Sequence, residues 1–234
     1  MKVTDLSFVI ISPMRCGSSL ICKLLDAHPN INCKLEYCAK YQIEELYEKY
    51  NTRDAIQALT LVMNSDKSWE TNSGFKFLFH HERSDTEELY KLLLQTASIK
   101  KIMLTRNPLE SYISLKTAQK TNEFWLGRKT SEHKIKFVKE NFLEYTDRCN
   151  NEYNYALSTV QGPMTTVDYK EICNTSCLRE LHRFLEVSYI HAPLPEWTLG
   201  QSTKQNHTQM SYRVENFTEM VDYVSTTPYK KYLV

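Results

Sequence analysis

The sequence predicts an α/β protein with three layers, in which helices pack on both faces of a central, mostly parallel sheet of about five strands. Short apolar runs rich in β-branched residues alternate along the chain with longer segments whose apolar residues have helical spacing. A length of 234 residues suffices for one such domain with a substantial core. Neither a repeat nor a proline-rich linker interrupts the chain, so we expect a single domain over residues 1–234.

Each element follows from its own pattern. Residues 8–11 are apolar and too few for a helix, which favours a buried parallel strand, and the spacing of Leu20, Ile21, Leu24 and Leu25 favours a helix behind it. Asn107 and Pro108 have the residue types of an N-cap and a first helical position. Further strands are expected at 31–35 (ending at Glu36), 75–79, 101–105 and 164–167, a turn at 72–74, and helices at 41–63, 86–94 (capped by Asp85), 131–158 and 177–185.

Composition narrows the classes of partner and location. Lysine and arginine number 29 against 28 acidic residues, a formal charge of +1, so attraction to nucleic acid or membrane surfaces is not expected. The sequence has no basic segment followed by a long apolar one, and we expect neither a signal peptide nor a membrane span. Seven scattered cysteines without a C-x-x-C pair indicate free thiols in a reducing compartment, hence a cytoplasmic protein without a zinc site.

The polar loop after the first strand has the spacing of a phosphate-binding loop. Against G-x-x-x-x-G-K-[ST], Ser12 occupies the first glycine position, Gly17 the second and Ser19 the hydroxyl position, while Ser18 replaces the lysine that grips a nucleoside triphosphate. Arg15 supplies a planar cation suited to a tetrahedral oxyanion. A strand that enters a helix through such a loop places backbone N–H groups and the helix dipole at one anion site.

The run Pro13-Met-Arg-Cys-Gly-Ser-Ser-Leu20, followed after a helix by Asp26-Ala-His-Pro29, resembles the 5′-phosphosulfate loop of the sulfotransferases that use 3′-phosphoadenosine-5′-phosphosulfate (PAPS). Their fold is of the P-loop-containing nucleotide-binding type. The resemblance implies that the donor is held by the loop residues Arg15, Cys16, Gly17, Ser18 and Ser19. Met14 is an insertion relative to the usual motif, and Cys16 replaces its usual hydroxyl residue.

A second motif, Arg106-Asn-Pro-Leu-Glu-Ser-Tyr-Ile-Ser114, resembles the 3′-phosphate motif of the same family. The resemblance implies that Arg106 and Ser114 bind the 3′-phosphate of PAPS, for which a guanidinium and a hydroxyl are suitable groups. The plain alternative is a strand-end arginine and a buried helix serine. Two such motifs in order, each at a predicted strand–helix junction, favour the sulfotransferase interpretation.

Two further residues are candidates for catalysis. Glu36, in Lys34-Leu-Glu-Tyr37, matches the glutamate that several sulfotransferase branches place soon after His-Pro, and the resemblance implies a general base that accepts the acceptor proton. His28 is the rival base, although a packing role would also fit it. Lys76 interrupts an apolar strand, and relatives use a lysine there to stabilise the leaving phosphate; a lysine reaching solvent from an edge strand is the alternative.

Two weaker matches complete the resemblance. Tyr169 matches a tyrosine that lies beside the adenine, and Lys204 matches a lysine in a late loop that closes over the nucleotide. We expect no metal, because a sulfuryl group carries less charge than a γ-phosphate. The neighbouring His80 and His81 do not alter this, since adjacent strand residues point to opposite faces.

The resemblance therefore implies a PAPS-dependent sulfotransferase of the glutamate-base branch, with catalytic residues Glu36, Lys76 and Arg15 and the product 3′-phosphoadenosine-5′-phosphate (PAP). Its partner would be a hydroxyl-bearing small molecule, carbohydrate or peptide. Two other classes remain open: a P-loop kinase acting on a small molecule or nucleotide, and a non-catalytic nucleotide-binding protein. The acceptor's identity and the oligomeric state do not follow from the sequence.

Overall fold

A computed structural model describes residues 2–65, 72–79, 85–124, 133–190 and 209–233. The chain divides into two compact units, the first formed by Met1–Thr105 with Glu152–Ala192 and the second by Arg106–Asn151 with Pro193–Val234. The expectation of one domain over the whole chain stays a prediction.

The first unit is built on a five-stranded sheet in the order β2-β3-β1-β4-β5. All neighbouring pairs are parallel, which confirms the predicted α/β class with a mostly parallel sheet of about five strands. The central strand is buried along its whole length because strands and helices surround it. The strands are β1 (Phe8–Ser12), β2 (Ile31–Glu36), β3 (Asn72–Leu78), β4 (Lys100–Thr105) and β5 (Met164–Asp168).

The helices follow the strands in the predicted alternation. They are α1 (Ser18–Asp26), α2 (Lys40–Tyr50), α3 (Ala55–Ser65), α4 (Glu87–Gln95), α5 (Pro108–Thr121), α6 (Lys139–Thr159), α7 (Thr175–Phe184) and α8 (Phe217–Ser225) among the described residues. On one face of the sheet, Val9, Ile11, Phe75 and Phe77 join a core with α2, α3 and α4. Since successive strand residues point to opposite faces, Ile10 and its even-numbered neighbours face the other side, where α1 contacts the sheet.

One predicted turn is wrong. Residues 72–74 begin strand β3, and Ser73 and Gly74 are buried in the sheet. A Cβ on Gly74 would lie 2.5 Å from the carbonyl oxygen of Phe8 and 2.6 Å from its ring. Gly74 therefore allows two strands and an aromatic side chain to approach closely. Such close approach is a common reason for a glycine within a strand.

Two helix starts also differ from the prediction. Helix α4 has Thr86 as its N-cap residue, whereas Asp85 accepts a hydrogen bond from the Tyr47 hydroxyl at 3.3 Å. The helix expected over 131–158 begins at Lys139, because the chain before it is extended and pairs Ile135 with Val214. Long-range pairing of this kind leaves no local signal in the sequence.

The second unit begins with the strand-to-helix junction that the sequence predicts. Asn107 is the N-cap of α5, its side-chain oxygen accepts from the N–H groups of Leu109 (2.9 Å) and Glu110 (3.1 Å), and Pro108 is the first helical residue. Aromatic rings form the centre of this unit, with Tyr112 in edge contact with Phe137 and Phe142. No helix among the described residues is both long and apolar enough to cross a membrane.

Candidate active site

The candidate anion site lies where β1 ends and α1 begins. Ser12 is the last residue of β1, the loop runs over residues 13–17, and Ser18 is the first residue of α1. Helix geometry leaves the first backbone N–H groups of α1 without an intrahelical acceptor, and the dipole adds positive potential at the same point. Because β1 is central and the chain crosses from β3 on one side of it to β4 on the other, this loop occupies the switch point where ligands of parallel sheets bind.

Gly17 fixes the turn of this loop. Its φ of 87° is left-handed, a conformation that glycine adopts at little cost. A Cβ at this position would lie 2.7 Å from Ile172 Cδ1 and 2.7 Å from Tyr169 Cδ2. Tyr169, which the sequence analysis assigned to nucleotide binding, therefore packs directly against the anion loop.

The other loop residues differ in exposure. Cys16 and Ser18 are buried, whereas Arg15 and Ser19 are half-buried. Arg15 adopts φ 65°, a left-handed conformation that is uncommon for a residue with a Cβ and tends to occur at functional sites. The Ser12 hydroxyl at the base of the loop is fully buried and has no hydrogen-bond partner among the residues that the structure describes. Positive groups and an unsatisfied hydroxyl suit an anionic ligand.

Lys76 connects the loop to the candidate base. Its ammonium donates to Ser19 Oγ at 2.7 Å and forms an ion pair with Glu36 Oε1 at 2.5 Å. The Lys76 side chain is only 2% exposed and that of Glu36 14%. Three residues separated widely in sequence, which the sequence analysis selected one by one, are thus joined in one chain of contacts.

The strands hold this pair in place. Lys76 is the register partner of Ile10 in β1 and of Glu36 in β2. The β2–β3 register shifts between Lys34 and Glu36, a bulge of the kind that redirects a side chain at a site. Glu36 thereby lies beside the lysine at the carboxyl end of its strand.

Tyr41 is an additional residue near the candidate base. It lies in the first turn of α2, is 58% exposed, and has its pKa raised by burial of part of the ring and by the nearby Glu36 carboxylate. It was not among the site residues predicted from the sequence. Its position five residues after Glu36, on a helix that follows the strand directly, was the available signal.

His28, the rival base, has both ring nitrogens engaged. Its Nδ1 accepts from the Asn30 N–H at 3.1 Å, so Nε2 is the nitrogen that donates to the Ser188 carbonyl at 2.9 Å. The ring is 2% exposed and packs edge-on against His182. These contacts favour the packing role for His28 and leave Glu36 as the better candidate.

Arg106 and Ser114 belong to the second unit. Arg106 directly precedes the N-cap of α5 and forms an ion pair with Glu110 Oε2 at 3.0 Å. Ser114 is 3% exposed in the same helix. Glu110 was missed by the sequence analysis, although its spacing of four residues from Arg106 is the usual one for a helical ion pair.

Two predicted features lie outside the described residues: Lys204, expected to close over the nucleotide, and the pair His80 and His81. Within the described ranges, no group of three or more His, Cys, Asp or Glu side chains could hold a metal ion.

Comparison of the structure with solved proteins identifies the fold. A sulfotransferase from Alicyclobacillus acidocaldarius matches with a TM-score of 0.57 and 14% identity, over 97% of this chain and 94% of that protein. Mouse sulfotransferase SULT7A1 complexed with PAP matches at a TM-score of 0.46 and 11% identity, over 82% of this chain and 62% of its own. The sulfotransferase domain from the curacin biosynthetic pathway matches with a TM-score of 0.46 and 15% identity, over 86% of this chain and 80% of that domain.

The chain therefore has the fold of a solved sulfotransferase, as the sequence predicted. By sequence, no family model matches the chain. No curated protein matches it either. The agreement with solved proteins thus lies in the fold, at an identity too low to transfer an activity.

Proposed function

We propose that this protein is a sulfotransferase that moves the sulfuryl group of PAPS to the hydroxyl of an acceptor. The observation that carries the proposal is the position of the Lys76 ammonium, within bonding distance of Ser19 in the anion loop and of the Glu36 carboxylate. A carboxylate beside the loop can accept the acceptor proton, and a cation there can offset the charge that develops on the leaving group.

The loop residues would hold the donor. Arg15 and the backbone N–H groups of Gly17, Ser18 and Ser19 bind the 5′-phosphosulfate, with Cys16 in the loop between them. The buried hydroxyl of Ser12, which has no partner among the described residues, supports an anionic ligand at this point. Tyr169, in contact with the loop, is proposed to bind the adenine side of the nucleotide.

The 3′-phosphate is assigned to Arg106 and Ser114, and Lys204 is assigned to closure over the nucleotide. Arg106 has five N–H donors, so one guanidinium can pair with Glu110 and still donate to a phosphate. Selection of the 3′-phosphate would separate PAPS from ordinary adenosine nucleotides.

In the transfer step, Glu36 accepts the proton of the acceptor hydroxyl while the acceptor oxygen bonds to sulfur. The bond from sulfur to the 5′-phosphate oxygen breaks, its electron pair stays on that oxygen, and PAP leaves. Lys76 and Arg15 offset the charge that develops there. Positioning and electrostatics supply the catalysis, as in phosphoryl transfer, and no metal is required in this scheme.

The proposal extends to the class of acceptor and to the location of the protein. The acceptor bears a hydroxyl group and is a small molecule, carbohydrate or peptide. A cytoplasmic location is supported by the seven cysteines, none of which forms a disulfide, since free thiols are typical of a reducing compartment.

Thermal unfolding with PAP, and separately with ATP and Mg²⁺, tests the proposal. A ligand at a hundredfold excess over its Kd stabilises the folded state by about 2.7 kcal/mol, so PAP raises the unfolding temperature and Arg106→Ala removes the rise. Transfer of labelled sulfate from PAPS to a panel of hydroxyl acceptors then tests catalysis. A response to ATP with Mg²⁺ alone would indicate a kinase. PAP binding by the wild-type protein without turnover on any acceptor of the panel would indicate a nucleotide-binding protein that is not an enzyme.

A further inference from the structure

The Lys76 ammonium lies between a hydroxyl and a carboxylate and contacts both. It contacts Ser19 Oγ in the first turn of α1 at 2.7 Å and Glu36 Oε1 at the end of β2 at 2.5 Å. The lysine is 2% exposed and the glutamate 14%, so water screens their charges poorly. Removal of either charge therefore leaves the other poorly compensated.

An anion bound in the loop becomes a second negative partner for Lys76. Ser19, which accepts from the ammonium, is also the loop residue at the hydroxyl position of the phosphate-binding pattern. A phosphosulfate held by the N–H groups of α1 therefore lies next to the Lys76 ammonium, and two anionic groups then share one cation. The ammonium has three N–H donors but a single charge, so an anion in the loop competes with Glu36 for that charge.

We propose that Lys76 is a counter-ion shared between Glu36 and the anion in the loop, so that donor binding draws the ammonium away from Glu36 and makes its carboxylate a stronger base. This inference rests on the proposed function and couples donor binding in the loop to proton acceptance by Glu36. Glu36 can accept the acceptor proton only when the donor occupies the loop. The lysine thus prepares the base and stabilises the leaving group with the same charge.

The backbone is suited to such an exchange. Lys76 lies on β3 between β1 and β2, with Ile10 and Glu36 as its register partners. Both strand neighbours fix the Cα of Lys76, so the exchange needs only rotation within its side chain. The two oxygens that it contacts are both within 2.7 Å of the same nitrogen, which keeps the required displacement small.

A double-mutant cycle on PAP affinity tests the coupling. Four proteins are titrated with PAP by calorimetry at one salt concentration: wild type, Glu36→Gln, Lys76→Met and the double variant. Glutamine keeps the size and an acceptor oxygen but removes the competing charge, so Glu36→Gln binds PAP about tenfold more tightly where Lys76 is present. In the background of the Lys76→Met variant, the same change tightens binding less than about twofold.

The opposite pattern overturns the inference. If Glu36 only repels the anion through space, its replacement tightens PAP binding at least as much in the Lys76→Met variant as beside the native lysine. Unchanged or weaker binding in the single variant Glu36→Gln also overturns it, and this measurement remains decisive if Lys76→Met does not fold. Wild-type protein that fails to bind PAP refutes the proposed function together with this inference, whereas binding without coupling refutes this inference alone.

Glu186→Gln is the control for loss of one negative charge elsewhere on the same unit. Glu186 also pairs with a strand lysine, Lys100, at 2.9 Å, and Lys100 is the first residue of β4, at the end of the strand opposite the loop. The same loss of one carboxylate there leaves PAP affinity unchanged. A tenfold increase in this control would mean that net charge, and not the shared lysine, governs binding.

Discussion

Replacement of Gly17 by alanine tests the anion loop most directly. The residue has φ 87°, and a left-handed conformation costs a residue with a Cβ roughly 1–2 kcal/mol. The new methyl group would lie 2.7 Å from Ile172 Cδ1 and 2.7 Å from Tyr169 Cδ2, where ordinary contact begins at 3.4 Å. Overpacking of this kind costs about 1–3 kcal/mol. We expect Gly17→Ala to lower the free energy of unfolding by about 2–5 kcal/mol.

The functional consequence follows from the same displacement. Relief of the contact displaces Gly17 from Ile172 and Tyr169, and the adjacent N–H groups of Ser18 and Ser19 lose their alignment on a bound anion. Loss of one charge-assisted hydrogen bond is worth about 1.5–3 kcal/mol, so PAP affinity falls about tenfold or more. Urea unfolding gives the first quantity and calorimetric titration at low temperature the second.

Gly162→Ala separates the two effects. Gly162 also has a left-handed φ, 82°, and a Cβ there would lie 2.1 Å from the Ala97 carbonyl oxygen, ahead of β5 and away from the loop. This control loses at least as much stability but keeps its PAP affinity in the folded fraction. Wild-type affinity in Gly17→Ala, or a stability change below about 0.5 kcal/mol, would refute the account of the loop given above.

Three further predictions concern other parts of the first unit. Burial lowers the pKa of Lys101 to about 8. Between that pH and the ordinary lysine pKa of about 10.4, the unfolded chain binds more protons than the folded one, so the free energy of unfolding rises with pH. Urea unfolding of the wild type and of Lys101→Met across this range measures this rise, which the variant lacks. Tyr41→Ala lowers acceptor turnover up to about tenfold in a sulfate-transfer assay, with PAP affinity unchanged. Iodoacetamide modifies the exposed Cys173 before the buried Cys33 and Cys38, whose pKa values burial raises, as peptide mass spectrometry will show.

Local patterns in the sequence were sufficient for much of the fold. The strand, polar loop and helix around Gly17 and the helix start at Asn107 and Pro108 were predicted correctly, because each depends on residues adjacent in sequence. The alternation of strands and helices was likewise enough for a parallel sheet. Local patterns are insufficient where a residue type has two physical uses: Gly74 has the residue type of a turn, but in the structure it allows the close approach of Phe8.

The class of fold, the anion loop and the choice of Lys76 and Glu36 as candidates all follow from patterns along the chain. Only the tertiary structure placed β3 between β1 and β2, which makes Lys76 the neighbour of both Ser19 and Glu36. It also engaged both nitrogens of His28 and brought Tyr169 against the loop. The reason is physical: strand order and register are set by packing between segments far apart in the chain, so no local pattern records which charges will share one cation.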